Sequence, residues 1–194
     1  MVAGKIFAWL HSGKTAPQPR CRSDYGDGAI NQLMAIIKPT IYIETTIPNF
    51  FFDFKNQSPE KKVETVYCWN NNLTNFETLT SLATIRELEV VSNKDWQASL
   101  LKLVENFKII DLNKKVLVLA QNYVSNNLIP QKYSADALHL AISTIAKIDY
   151  LLTWNIQHLA HPIKRKMFRE YNFNKNLYVT EIVTPKELNF KLNP

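Results

Sequence analysis

Beyond Gly28 this chain contains no glycine: its four stand at Gly4, Gly13, Gly26 and Gly28 of 194 residues. A glycine-free body excludes the phosphate-cradling loops of dinucleotide-binding and kinase folds, which need glycine for close backbone approach. It also sets the start of the chain apart. Residues 1–33 hold all the glycine, two prolines (Pro17, Pro19) and no sustained periodicity, whereas strand-like patterning begins after Met34. Residues 1–33 therefore read as a leader or tag-like segment outside the fold, and residues 34–194 as one domain. Ala8-Trp-Leu-His-Ser-Gly13-Lys14-Thr15 loosely fits a nucleotide-binding loop. The helix that such a loop needs cannot follow, because Ala16-Pro17-Gln18-Pro19 comes next.

Within the body, short β-branched and apolar runs alternate with helical patterns. Strands are expected at 40–44, 78–82, 108–112, 150–153 and 177–180. Helices are expected from Pro59 to about Phe76, from Thr84, and at 95–107, 114–128, 134–148 and 157–171, with a closing turn at 185–188. Ile47-Pro48-Asn49 is expected to break the first strand, leaving Phe50–Phe52 as an apolar plug. Strict alternation reads as an α/β fold, a three-layer α/β/α sandwich with a central parallel sheet. Such sheets bind ligands beyond the carboxyl ends of their strands, where the strand order reverses.

Composition narrows the function classes. Hydrophobic residues at 46% and charged residues at 21% are ordinary for a globular domain. No apolar run is long enough to span a membrane. The formal charge of +6 favours polyanionic partners. Cysteines stand at Cys21 and Cys68 only, so a domain at 34–194 has no internal disulfide and is expected in the reducing cytoplasm. His158 and His161 lack the further ligands of a structural zinc site.

The strand-end rule selects four residues. Glu44 ends the first strand, Glu87 lies early in the next helix, Asp136 sits in the first turn of the helix from Ser134, and Asn155 follows the strand at 150–153. If the three acids meet, each pair about 5 Å apart repels by roughly 3 kcal/mol at an effective dielectric of 20. Three such pairs cost on the order of 10 kcal/mol, the stability of a whole domain. Either some carboxylates keep a proton or a cation lies between them. An all-oxygen donor set suits Mg²⁺ or Mn²⁺. Local roles compete with this reading. Glu87 completes a capping box, Thr84-x-x-Glu87. Asp136 follows Ser134, an N-cap residue. Asn155 suits a turn. Glu44 is hardest to explain locally, because a carboxylate ending a buried strand needs a partner. His139 reads as a partly buried helix histidine.

At these residues the chain resembles the PIN domains, and among them the toxin nucleases of the VapC type, over nearly all of residues 38–190. Ile41-Tyr-Ile-Glu44-Thr-Thr is similar to the opening motif, an apolar strand ending in an acid. Ile85-Arg-Glu87-Leu is similar to the second, and Ser134-Ala-Asp136-Ala-Leu-His-Leu-Ala141 to the third. Leu151-Leu-Thr153-Trp-Asn155 is similar to the fourth, and Ile182-Val-Thr-Pro185-Lys-Glu-Leu188 to the closing strand and tail. Two positions depart from the family: Glu44 where aspartate is usual, and neutral Asn155 where an acid is common.

The resemblance implies a Mg²⁺- or Mn²⁺-dependent endoribonuclease, the toxin of a type II toxin–antitoxin pair, forming a homodimer and restrained by a small antitoxin protein. Glu44, Glu87 and Asp136 would bind the ion directly or through water, Asn155 would position water or phosphate, and Thr45 and Thr153 would support them. A water activated by the ion would attack phosphorus. Lys164, Arg165, Lys166 and Arg169 form a basic cluster suited to an RNA backbone, or simply a solvated helix face. Tyr171 and Phe173 beside it would stack on bases or pack in the core. The alternative, favoured by Asn155, is a catalytically impaired PIN-fold module that binds RNA or a protein partner. A phosphotransfer receiver also gathers acids at strand ends, but needs paired acids near the first strand, where only Glu44 stands.

Overall fold

A computed structural model describes residues 38–192. The expected leader at 1–33 and the loop-like stretch at 8–15 lie outside the described residues. The chain runs β1 (Thr40–Ile43), α1 (Thr46–Phe52), α2 (Pro59–Tyr67), β2 (Glu77–Ser81), α3 (Leu82–Glu89), α4 (Lys94–Val104), β3 (Lys108–Ile110), α5 (Lys114–Ser125), α6 (Ser134–Ile145), β4 (Tyr150–Leu152), α7 (Pro162–Asn174), β5 (Glu181–Val183) and α8 (Pro185–Leu192). The strands form one sheet in the order β3-β2-β1-β4-β5. Every pair is parallel, with Ile43 opposite Leu152 and Leu152 opposite Val183.

Side chains alternate across the sheet. Tyr42, Leu79, Leu151 and Ile182 meet Leu119, Leu140 and Phe168 of α5, α6 and α7 on one face. Ile41, Ile43, Leu152 and Val183 meet Ile47 of α1 and Leu188 of α8 on the other. A satellite cluster of Leu88, Leu100 and Val104 joins α3 to α4. The expected α/β/α layering is therefore present. β1 and β4 are neighbours far apart in sequence, so the order reverses between them, and the crevice at their carboxyl ends is the switch point. Among the described residues, no helix is long and apolar enough to cross a membrane.

Several boundaries differ from the sequence reading, each for a local reason. The segment after β1 is a helix, because Pro48 falls in its first turn, where an amide hydrogen has no partner to lose. The helix from Pro59 stops at Tyr67. Cys68–Asn72 continue as one π turn and Leu73–Asn75 as a 3₁₀ turn. The three asparagines at 70–72 are poor helix formers, and Asn72 instead donates to Asn189 at 2.8 Å. The cap of α3 is Ser81, whose hydroxyl accepts from the Thr84 amide at 3.3 Å, so Thr84 and Glu87 do not form a capping box. Ser134 is the first helical residue of α6, behind a 3₁₀ turn at Gln131–Tyr133, and not its cap.

The basic helix begins at Pro162 rather than 157, with the ring Nδ1 of His161 accepting from the Ile163 amide. The last strand is Glu181–Val183, not 177–180. Glu181 pairs with Tyr150, while Tyr178 donates its hydroxyl to Asp149 at 2.6 Å. Five residues of the described chain adopt positive φ: Asp53, Asn56, Asn127, Lys147 and Asn176. Asparagine and aspartate tolerate this region best among residues with a Cβ.

Candidate functional site

Two adjacent threonines organise the carboxyl end of β1. Glu44 is buried, and its carboxylate turns onto the start of α1. The Thr46 amide donates to Oε2 at 3.0 Å and the Thr46 hydroxyl donates to Oε1. Thr46 Oγ1 in turn accepts from the Trp154 amide at 2.8 Å, tying β1 to the residue after β4. Thr45 faces the other way, and its hydroxyl donates to Glu87 Oε2. A short buried strand followed by Thr-Thr thus holds two acids in different settings.

His139 occupies the space between them. It is 3% exposed, with Nε2 at 3.3 Å from both Glu87 oxygens and Nδ1 at 2.7 Å from the Tyr42 hydroxyl. That hydroxyl also meets Ser81 at 2.7 Å and Thr84 at 3.1 Å. An imidazolium donates from both nitrogens, which suits this arrangement, since the Tyr42 hydroxyl can accept from Nδ1 and donate its own hydrogen bond to Ser81 or Thr84. Burial opposes the charged ring. The Tyr42 oxygen and the carboxylates of Glu87 and Glu44 favour it, and the His139 pKa lies well above the usual imidazole value.

The acids respond differently to this cation. Burial raises the Glu44 pKa despite His139 and the hydrogen bonds from Thr46 and Thr153. Burial also opposes the Glu87 carboxylate, but His139 and Thr45 outweigh it and hold its pKa below the ordinary glutamate value. Asp136, one helical turn before His139, has a raised pKa. Burial dominates, Asn155, His158 and His139 oppose it, and the neighbouring Glu87 charge adds to it. Burial thus disfavours charge on Glu44 and Asp136, while His139 favours it on Glu87.

Asn155 donates its side-chain amide to Asp136 and accepts the His158 amide hydrogen on Oδ1 at 3.1 Å. Its backbone amide donates to Thr153 Oγ1 at 2.8 Å. Asn155 thus orients Asp136, while its carbonyl oxygen already accepts one hydrogen bond.

Glu87 and Asp136 lie within electrostatic reach of each other. Among the described residues, no group of three or more His, Cys, Asp or Glu side chains has metal-ligating geometry. A pair of carboxylates still fits Mg²⁺, which keeps several waters and takes one or two protein carboxylates. Glu44, with both oxygens on Thr46, fits contact through water.

The basic cluster disperses along α7. Lys164 donates to the Leu128 carbonyl at 2.7 Å, and Arg165 makes a two-point pair with Glu187 at 3.0 and 2.8 Å. Lys166 lies 3.8 Å from Glu170, and Arg169 is exposed. Tyr171 packs edge-on against Tyr123, while Phe173 is 74% exposed. His158 stacks on Tyr133, with ring centroids 3.6 Å apart, and does not pair with His161.

Sequence reasoning missed the central part played by Tyr42 and His139. The available signal was the spacing of Asp136 and His139, three apart on one face of α6.

No family model matches the chain, and no curated protein matches it significantly. Among solved structures, it is similar to the crystal structure of VapBC2 from Rickettsia felis bound to a DNA fragment from their promoter. The TM-score is 0.47 and the identity 16%, over 75% of this chain and 98% of that one. Nothing functional is taken from a likeness at that level.

Proposed function

We propose that the protein is a metal-dependent endoribonuclease of the PIN type, hydrolysing RNA phosphodiester bonds, and the toxin half of a type II toxin–antitoxin pair. The observation that carries this reading is the adjacency of Glu87 and Asp136 at the carboxyl edge of the sheet, beside the switch point between β1 and β4. The resemblance of the four motifs around Glu44, Glu87, Asp136 and Asn155 supports it. The same resemblance supports an antitoxin partner and a homodimer.

Glu87 and Asp136 would hold Mg²⁺ or Mn²⁺, with Glu44 contributing through water. The ion supplies Lewis-acid charge for the phosphate and lowers the pKa of a water. This chain's own residues do the positioning. Thr45 fixes Glu87 from one side and His139 from the other. Asn155 fixes Asp136. Thr46 keeps Glu44 turned onto α1. Tyr42, anchored on Ser81 and Thr84, stops the His139 ring from rotating away from Glu87.

The test is cleavage of a mixed RNA pool with Mg²⁺ or Mn²⁺, compared with EDTA and with Asp136→Asn. Cleavage that needs the ion and Asp136 supports the nuclease. Binding of the RNA without cleavage under either ion supports the second reading, a PIN-fold binding module, which the neutral Asn155 favours.

A further inference from the structure

A hollow of about 530 Å³ opens beside the acid cluster, between α1, the loop after it and α4. Its volume falls in the range of small-molecule sites. Thr46, the residue that holds Glu44, forms part of its wall, so the hollow and the acids share a residue.

Phe50, Phe54 and Trp96 belong to the wall. Phe52, which does not line the hollow, stacks on Phe54 and Phe54 on Trp96, a ladder with centroids 4.9 Å apart at both steps and planes inclined by 11° and 4°. Two near-parallel neighbours at that spacing must cover opposite faces of Phe54. Trp96 ends the ladder, half-buried in the wall, with one indole face taken by Phe54 and the other met by no further ring among the described residues.

One acid and one cation line the hollow, and only the cation is open to a ligand. Asp53 is buried, and its carboxylate is closed off by the amides of Gln57 at 2.9 Å and Ser58 at 3.0 Å. Lys55 is exposed on the wall, with no acid at ion-pair distance among the described residues. Asn49 donates its amide to the Thr45 carbonyl at 2.8 Å, which leaves Oδ1 for a donor. A flat ring face, a spare amide acceptor and an unneutralised cation together match a planar heterocycle carrying an anionic group. An apolar peptide side chain would cover the ring but leave Lys55 without an anion.

We propose that this hollow is a base-stacking subsite, in which one nucleotide of a single-stranded RNA stacks on Trp96 while Lys55 meets its phosphate. Stacking of this kind is tolerant of sequence and common where single strands are held. The inference rests on the hydrolase reading for its substrate, and its test is separable from that reading.

Binding is measured in EDTA, where no hydrolysis occurs, with 5′-AMP and with hexa-adenylate. Tryptophan fluorescence should fall as either ligand binds, and Trp96→Leu should abolish that change and weaken binding roughly tenfold. Trp96→Phe, which keeps a stacking ring but not the indole emission, should restore most of the binding, read by equilibrium dialysis. Lys55→Ala, an exposed substitution that the fold tolerates, should weaken hexa-adenylate and flatten its salt dependence by about one unit of slope. In the cleavage assay, Trp96→Leu should raise KM with kcat nearly unchanged.

Equal binding by native protein, Trp96→Leu and Lys55→Ala would overturn the subsite, including the case in which a peptide partner occupies the hollow instead. If RNA is cleaved normally in that case, the hydrolase reading survives alone. If the Trp96- and Lys55-dependent binding is found but no RNA is cleaved, the subsite stands and the hydrolase fails.

Discussion

Glu44 and Glu87 belong to the same rim, and neighbouring threonines hold them, yet the fold treats them in opposite ways. Glu44 is 3% exposed, both of its oxygens lie on one turn of helix, and burial favours its protonated form. Glu87 is 35% exposed and faces a buried imidazole, which favours its ionised form. The difference lowers the cost of placing three acids on one edge: burial disfavours charge on Glu44, and His139 favours it on Glu87. Glu87 and Asp136 are the more open acids, better placed for direct contact with a cation.

The sharpest test of this division is catalytic. Asp136→Asn or Glu87→Gln should reduce metal-dependent RNA cleavage at least ~100-fold, read as kcat, because several kcal/mol of charge stabilisation is lost. Next comes the buried cation. His139→Ala removes a packed ring and takes one partner each from the Tyr42 hydroxyl and Glu87, so it should cost about 2–4 kcal/mol in urea unfolding. Comparing the two glutamates directly gives smaller effects of differing sign. In EDTA at neutral pH, Glu87→Gln should cost about 1–2 kcal/mol through the lost charge on His139. Glu44→Gln should be neutral or slightly stabilising, because it removes a carboxyl whose charged form burial disfavours. If Glu44→Gln proves the more destabilising, the contrast drawn between the two glutamates is wrong.

The pH dependence follows from the same shifts. His139 has a folded pKa well above 6.5, so its contribution to stability is complete below that value and is lost as pH rises through the folded value. Glu44, raised from 4.5, has the same sign: the folded state holds its proton more tightly, and stability falls as pH rises past 4.5. Glu87, lowered from 4.5, acts oppositely, and its contribution disappears as pH falls through its folded value. The urea midpoint in EDTA should therefore decline from mildly acidic to alkaline pH, and His139→Gln should flatten the decline. The smallest expected effect lies on α7. Arg169→Ala, at an exposed cation, should weaken RNA binding slightly and reduce the salt slope by about one.

Much of this arrangement was legible in the sequence. Strand-like runs alternating with helical ones gave the parallel sheet, and the rule about strand ends picked out Glu44, Glu87, Asp136 and Asn155. What escaped was set by tertiary partners. Leu177–Thr180 has good strand propensity, but Tyr150 pairs with Glu181 and moves the strand along. Thr84-x-x-Glu87 reads as a capping box, yet the cap is made three residues earlier, by Ser81, which places Glu87 inside α3. In the sequence His139 reads as a partly buried helix histidine, and Tyr42 only as part of a buried strand. Both are buried, and only the hydrogen bond between them, across 97 positions of sequence, links β1 to the histidine beside Glu87. The basic run at 164–169 reads as an RNA-binding cluster or a solvated helix face; helical spacing gives Lys164, Arg165 and Lys166 different neighbours and leaves Arg169 exposed.

The absence of glycine after Gly28 has a further consequence. At Lys147, φ is +55° on a residue with a long side chain and no special tolerance for that region. The turn between α6 and β4 is thus held in a tense shape by the elements on either side, and those elements include the helix that carries Asp136 and the strand that leads to Asn155. A glycine introduced there would ease the bend and enlarge the room for movement in the denatured chain at the same moment. Whether the domain gained or lost from that exchange would reveal how much of the acids' alignment is imposed by a bent hinge behind them.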